Sequence, residues 1–172
     1  MKLYYAYSRN NKIGSRLISW ASGLLLPEMQ KVPSHVAILM EFEGVEEKFI
    51  AESVLEAGVR IIPYSVWKTI NEECYLVPCV QDKRNTDEVF KVLGSIWNKK
   101  YDKLGILYFA LCFVKHLLFK SKFPKENRWQ REGHYFCTEA AAKLAGYGKH
   151  SMTTPAKMCW DMITQCDKKA NN

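Results

Sequence analysis

The sequence predicts an α+β domain in which an antiparallel β meander, or a barrel closed from it, packs against helices. Short apolar segments between residues 36 and 80 are separated by turn residues, the pattern of strands joined by hairpins. Segments of helical period lie before and after them. An alanine-rich helix beginning at Cys137 and closed by Gly146 places a cysteine at or beside a helix N-terminus.

The 172 residues suit one domain, taken as residues 1–166 with a disordered tail from Asp167 to Asn172, and are enough to bury a substantial core. With 48% hydrophobic and 25% charged residues the composition is that of an ordinary globular protein. Lys and Arg outnumber Asp and Glu 25 to 18, a formal charge of +7, which points to an anionic partner or surface without naming it. Six cysteines form no Cys-x-x-Cys pair, and no signal peptide is recognised, so a reducing, cytoplasmic setting is expected.

Lys2 to Tyr7 reads as a strand. Ile13 to Leu26 follows as a helix with Ile13, Leu17, Trp20, Ala21 and Leu24 on one face. Pro27 and Pro33 bracket a loop. Val36 to Phe42 is a largely buried strand, Glu43-Gly44 a turn, and Lys48 to Leu55 the next strand. Gly58 to Pro63 and Cys74 to Val80 continue the meander. Asn85 or Thr86 caps a helix through Asn98, with Glu88 placed like a capping-box acid and Val89, Phe90, Leu93, Ile96 and Trp97 facing in.

Leu104 to Phe119 is the most hydrophobic segment. It is too short to span a bilayer and contains Lys115 and His116, so a buried or surface-lying helix is expected. The chain continues through Lys120, Lys122, Phe123, Lys125, Arg128, Trp129 and Arg131, a basic run mixed with aromatics. Lys115 to Arg131 therefore suits peripheral contact with an anionic surface, although such runs are more often solvated loops. The last helix has Thr154 as its cap and Pro155 at its first position, with Met158, Met162 and Ile163 inward.

Three residues could form one site. The partial positive charge of a helix N-terminus favours a thiolate at Cys137. His35 opens the first meander strand and Glu52 lies in the second. If Glu43-Gly44 form a two-residue turn, Phe42 pairs with Val45, and stepping back along both strands sets His35 opposite Glu52. A register slipped by two keeps them on one face, whereas an odd slip separates them. A carboxylate that orients an imidazole, which activates a thiol, is a nucleophilic triad. The backbone N–H of Cys137 would be one oxyanion donor. Taken singly, each residue has an ordinary explanation: a buried thiol, a strand-end histidine, a hairpin acid.

The set Ser34-His35-Val36-Ala37-Ile38, Ile50-Ala51-Glu52-Ser53, Gly58-Val59-Arg60-Ile61-Ile62-Pro63, Lys100-Tyr101-Asp102, Phe136-Cys137-Thr138-Glu139 and Thr154-Pro155 resembles the circularly permuted papain-like cysteine hydrolases of the NlpC superfamily. The YiiX-like branch is the nearest type, with poxviral and lecithin:retinol acyltransferase branches further off. The resemblance implies a permuted papain-like fold in which the histidine strand precedes the cysteine helix. It implies Cys137 as nucleophile, His35 as base and Glu52 as third member, and it places Tyr101 at the site wall. Ser34, His134 and Thr138 are expected near substrate, Thr138 standing where the family more often has serine. Residues 104–132 fall where these enzymes vary most.

The leading expectation is a hydrolase cleaving an amide (peptide) or ester bond through a thioester, without metal or other cofactor. The absence of a secretion signal argues against a wall enzyme unless a phage or virus encodes it and it acts in the host. An acyl-lipid substrate, as in the retinol acyltransferase branch, is the close alternative. A non-catalytic basic module that binds a membrane or nucleic acid is the distant one, with no specific nucleic acid expected. A metal site from His35, Glu52, His134 and Cys137 rests only on the His134-x-x-Cys137 spacing. Cys74, Cys79, Cys112, Cys159 and Cys166 read as structural, and His116 and His150 as surface residues.

Overall fold

The structure, a computed structural model, describes residues 1–79, 85–122, 124, 128–129, 131–147 and 153–170, the last four as backbone only. Val80, Phe123, Lys125 and His150 therefore lie outside the described residues. Five strands, β1 (Lys2–Arg9), β2 (His35–Glu41), β3 (Phe49–Val54), β4 (Gly58–Pro63) and β5 (Glu72–Pro78), form one antiparallel sheet in the order β4-β3-β2-β1-β5. Six helices accompany it among the described residues: α1 (Ile13–Leu25), α2 (Tyr64–Ile70), α3 (Thr86–Ile96), α4 (Lys103–Phe119), α5 (Cys137–Leu144) and α6 (Pro155–Ala170). Residues 167–170 of the expected tail thus have helical backbone, and 171 and 172 lie outside the described residues.

Two expectations about the sheet are corrected. It is open, with β4 and β5 at opposite edges, so no barrel closes. The meander also stops at β4. The chain then forms α2, which sequence reading missed, and β5 pairs with β1 instead. The reason is a second, smaller core on one sheet face, where Trp67 of α2 covers Ala6, Ala37, Leu39 and Ile50. Crossing that face carries the chain from the β4 edge to the far side of β1, where β5 forms the other edge.

Because side chains alternate along a strand, Tyr5, Tyr7, Val36, Ile38 and Met40 point to the opposite face. There they meet Ala140, Ala141, Ala142, Leu144, Met158 and Leu93 in the main core. Seven of the eight α5 residues are buried, and the three small alanines let that helix lie close against β2 and β3. This packing brings the N-terminus of α5 to the end of β2 at which His35 stands.

The capping expectations hold. Asn85 and Glu88 form a reciprocal capping box on α3, both bonds at 2.9 Å, and Thr154 Oγ1 accepts the Lys157 N–H on α6. On α3, Val89, Leu93 and Ile96 are buried, but Phe90 and Trp97 are exposed rather than inward. Phe90 stacks on Phe42 at the surface.

α1 is turned inside out relative to the usual amphipathic rule. Its inward face is made of serines: Ser15 Oγ contacts Ser34 Oγ at 2.5 Å, Ser19 Oγ donates to Val32 O, and Ser22 is the helix's buried residue. Ile13, Leu17, Trp20 and Leu24 point to solvent. The surface option for the hydrophobic segment also holds, since Gly105 and Phe113 are the buried residues of the 17 in α4. No helix among the described residues is long and apolar enough to cross a membrane.

Candidate active site

The site begins with the β2–β3 hairpin. Its connection is longer than two residues: pairing ends at Met40–Phe49, with Leu39 opposite Ile50 and Ile38 opposite Ala51. The register is therefore two residues away from the one a Glu43-Gly44 turn would impose. An even shift preserves the face, and His35 and Glu52 meet as diagonal neighbours. His35 Nε2 lies 2.8 Å from Glu52 Oε2. Cys137 is the imidazole's other close neighbour.

Burial alone would drive His35 toward its neutral form, but Cys137 and Glu52 outweigh it and push its pKa up to about 10. Burial likewise opposes the charge on Glu52, yet His35 first and Arg60 second pull its pKa down to about 2. The site therefore favours an imidazolium clamped by a carboxylate.

Two residues that sequence reading assigned no role complete this clamp. Arg60 stands opposite Glu52 in the β3–β4 register and donates to Glu52 Oε1 through Nε at 2.9 Å and Nη2 at 2.7 Å. Trp67 Nε1 donates to Oε2 at 3.2 Å. The signal for Arg60 was present as a cation inside the otherwise apolar run of β4. None existed for Trp67, whose helix was not recognised.

Cys137 is the first residue of α5, 5% exposed, with Phe136 at the cap position. Glu139 Oε2 accepts the Phe136 N–H at 3.3 Å. The preceding residue, Tyr135, is tied down from three sides. Its carbonyl accepts from Ser53 Oγ at 2.6 Å and from Asp102 N–H, and its own N–H donates to Lys100 O. β3, the α3–α4 linker and the cysteine segment are thereby held together.

That linker is itself fixed on β4. Val59 N–H donates to Lys99 O at 2.9 Å, and Gly58, at φ +66°, leaves the space in which Lys99 O sits. The result places Tyr101 beside Cys137. Burial, then the charges of Cys137, Asp102 and Glu139, hold its phenol well above the ordinary range, so the hydroxyl stays a hydrogen-bond donor. Tyr101 also lines a pocket of about 510 Å³ together with Glu56, Gly58, Asn98, Lys103 and His134.

Two carboxylates, Asp102 and Glu139, are buried near Cys137. Asp102 caps α4 through Oδ1, accepting Gly105 N–H at 2.9 Å, and its Oδ2 has no hydrogen-bond partner. Glu139 Oε1 also lacks one. Burial and the charge of Asp102 push Glu139 up to about 8, against the pull of the Phe136 N–H.

The structure thus brings together His35, Glu52, Cys137 and Tyr101. His134 lines the pocket, with Nδ1 3.1 Å from Glu132 O. Ser34 and Thr138 are occupied elsewhere: the Ser34 hydroxyl binds Ser15, and Thr138, fully buried, donates to Thr153 O at 3.0 Å. Both anchor the chain around the site. Set against known proteins, the sequence matches no family model and no curated protein.

Proposed function

We propose that the protein is a cysteine hydrolase that cleaves an amide or ester bond, with Cys137 as nucleophile, His35 as general acid–base and Glu52 as its orienting carboxylate. The observation that carries this reading is His35 held by Glu52 at 2.8 Å, with Cys137 beside the same imidazole. Its order along the sequence, histidine strand before cysteine helix, agrees with the permuted papain-like arrangement of the NlpC superfamily.

In this mechanism the Cys137 sulfur attacks the carbonyl carbon while His35 holds the thiol proton. The tetrahedral oxyanion is met by the Cys137 backbone N–H at the α5 N-terminus and by the Tyr101 hydroxyl. Collapse breaks the bond to the leaving amine or alcohol, which takes the proton from His35, and leaves a thioester. Water then attacks the thioester with His35 as base, releasing the acid and restoring the thiol. Transfer to an acceptor hydroxyl would follow the same course with that hydroxyl in place of water. Peptide, amide and acyl-lipid substrates all suit the chemistry.

The test needs no substrate at first. Alkylation of each cysteine is followed against pH by mass spectrometry in the wild type and in His35→Ala. Selective, early reactivity of Cys137 that disappears with His35 supports the dyad. A Cys137 no more reactive than Cys74 or Cys159 in the wild type defeats it. On a substrate found by screening amides and esters, Cys137→Ala should abolish turnover.

A further inference from the structure

Both helices that turn apolar residues outward do so with one spacing. On α1, Ile13, Leu17, Trp20 and Leu24 are 78%, 58%, 61% and 51% exposed. On α4, Leu107, Leu111, Val114 and Leu118 are 50%, 51%, 51% and 69% exposed. Steps of four, three and four keep each set on a single side of its helix. α4 continues the exposure at its end, where Phe119 is 74% exposed. Large apolar surface rimmed by charge marks an interaction site.

Within the two segments themselves the charges are of one sign. No Asp or Glu occurs before Glu28, and none occurs between Lys103 and Lys125, while Lys12, Arg16, Lys103, Lys115, Lys120 and Lys122 accompany the two stripes. Packing of either helix against a second copy would set cation against cation, without the opposite charges that normally flank a helix–helix seam. An anionic lipid surface answers both features at once: acyl chains receive the stripe and headgroups receive the lysines.

We propose that α1 and α4 dock the protein on the surface of an anionic bilayer, lying on it rather than crossing it. Both helices begin at the pocket. Lys103 and Leu104 of the first α4 turn line it, and Lys12, which caps α1, pairs with Glu56 of the same lining at 3.0 Å. Docking would therefore bring the pocket mouth, with Tyr101 in its wall, to headgroup level. This goes beyond the hydrolase reading and does not depend on it.

The experiment is sedimentation of the full chain with vesicles of phosphatidylcholine alone or with about 30% phosphatidylserine. The expected result is binding to the mixed vesicles only, weakened by salt and unchanged in Cys137→Ala. The triple variant Leu107→Ser, Leu111→Ser, Leu118→Ser alters exposed side chains alone and should bind at least about tenfold more weakly. Lys115→Glu with Lys120→Glu should abolish the preference for phosphatidylserine, and circular dichroism checks that each variant is folded. No binding to mixed vesicles at low salt overturns the proposal, as does binding that the folded triple variant retains in full. So does a stable dimer that the triple variant dissociates, since a second copy would then be the occupant. Loss of Cys137 reactivity would bear on the hydrolase alone.

Discussion

Arg60 holds Glu52 by one carboxylate oxygen, Oε1, and leaves the other, Oε2, to His35 at 2.8 Å. Trp67 approaches that second oxygen from its own side. The carboxylate cannot rotate without losing several bonds together, so Arg60 and Trp67 act on the imidazole through Glu52. Arg60→Gln and Trp67→Phe should therefore lower kcat by about ten- to a hundredfold, a loss of about 1.4–2.7 kcal/mol in transition-state stabilisation, with KM little changed. The measurement is steady-state kinetics on the substrate found by screening. A rise in KM at constant kcat would show that Arg60 acts on substrate binding instead.

The shifts of His35 and Glu52 set a stability profile. His35 is raised from 6.5 to about 10, against the effect of burial, by Cys137 and Glu52. The unfolded chain loses this proton first, so the contribution is complete below about pH 6.5 and disappears as pH rises through about 10. Glu52 is lowered from 4.5 to about 2, against burial, by His35 and Arg60. Its contribution is present above about pH 4.5 and is lost as pH falls through about 2. Urea unfolding across pH should show both limbs, and His35→Ala should reduce the alkaline one to the share that Glu139 supplies. An alkaline limb that survives in His35→Ala at full size would exclude His35 as its source.

The pairing of His35 with Glu52 was legible because strand parity is robust. The turn was shorter in expectation than in the structure, yet a shift of two residues leaves the same side chains on the same face. The helix at Cys137 was legible from its composition and its closing glycine, which has φ +67°. The direction of α1 was not. A period shows which residues share a face but not which face meets the core, and here the hydroxyls of Ser34 and the carbonyl of Val32 select the serine face. α2 has only seven residues and starts directly after Pro63, too short a run for a period to emerge. Without α2 nothing in the sequence required β5 to leave the meander.

Gly58 is where the α3–α4 linker touches the sheet. A Cβ there would lie 2.1 Å from Lys99 O, a backbone atom, and φ is +66°. Gly58→Ala should cost about 1–3 kcal/mol from the left-handed backbone alone, more with the clash. For a domain of this size each kcal/mol is about 2–4 °C in Tm. Because the same linker carries Tyr101 to Cys137, activity should fall at temperatures where the variant is still folded. Thermal unfolding and kinetics at a low temperature separate the two effects. Unaltered Tm would mean that the linker relaxes away from β4 without consequence.

Glu139 and Asp102 give the fold a further pH dependence. Burial and the Asp102 charge raise Glu139 from 4.5 to about 8. Between those values the unfolded chain has released the proton and the folded chain retains it, so stability falls as pH rises through about 8. The slope is at most about 1.4 kcal/mol per pH unit. Glu139→Gln keeps an oxygen for the Phe136 N–H and carries no charge, so it should flatten this slope and be more stable than the wild type near pH 9. Asp102→Asn can still cap α4 and removes the repelling charge, so the slope should end at a lower pH. His35 contributes a limb of the same sign, and the comparison is therefore made in a His35→Ala background by urea unfolding from pH 5 to 9. If Glu139→Gln leaves the slope there untouched, Glu139 is ionised in the folded protein.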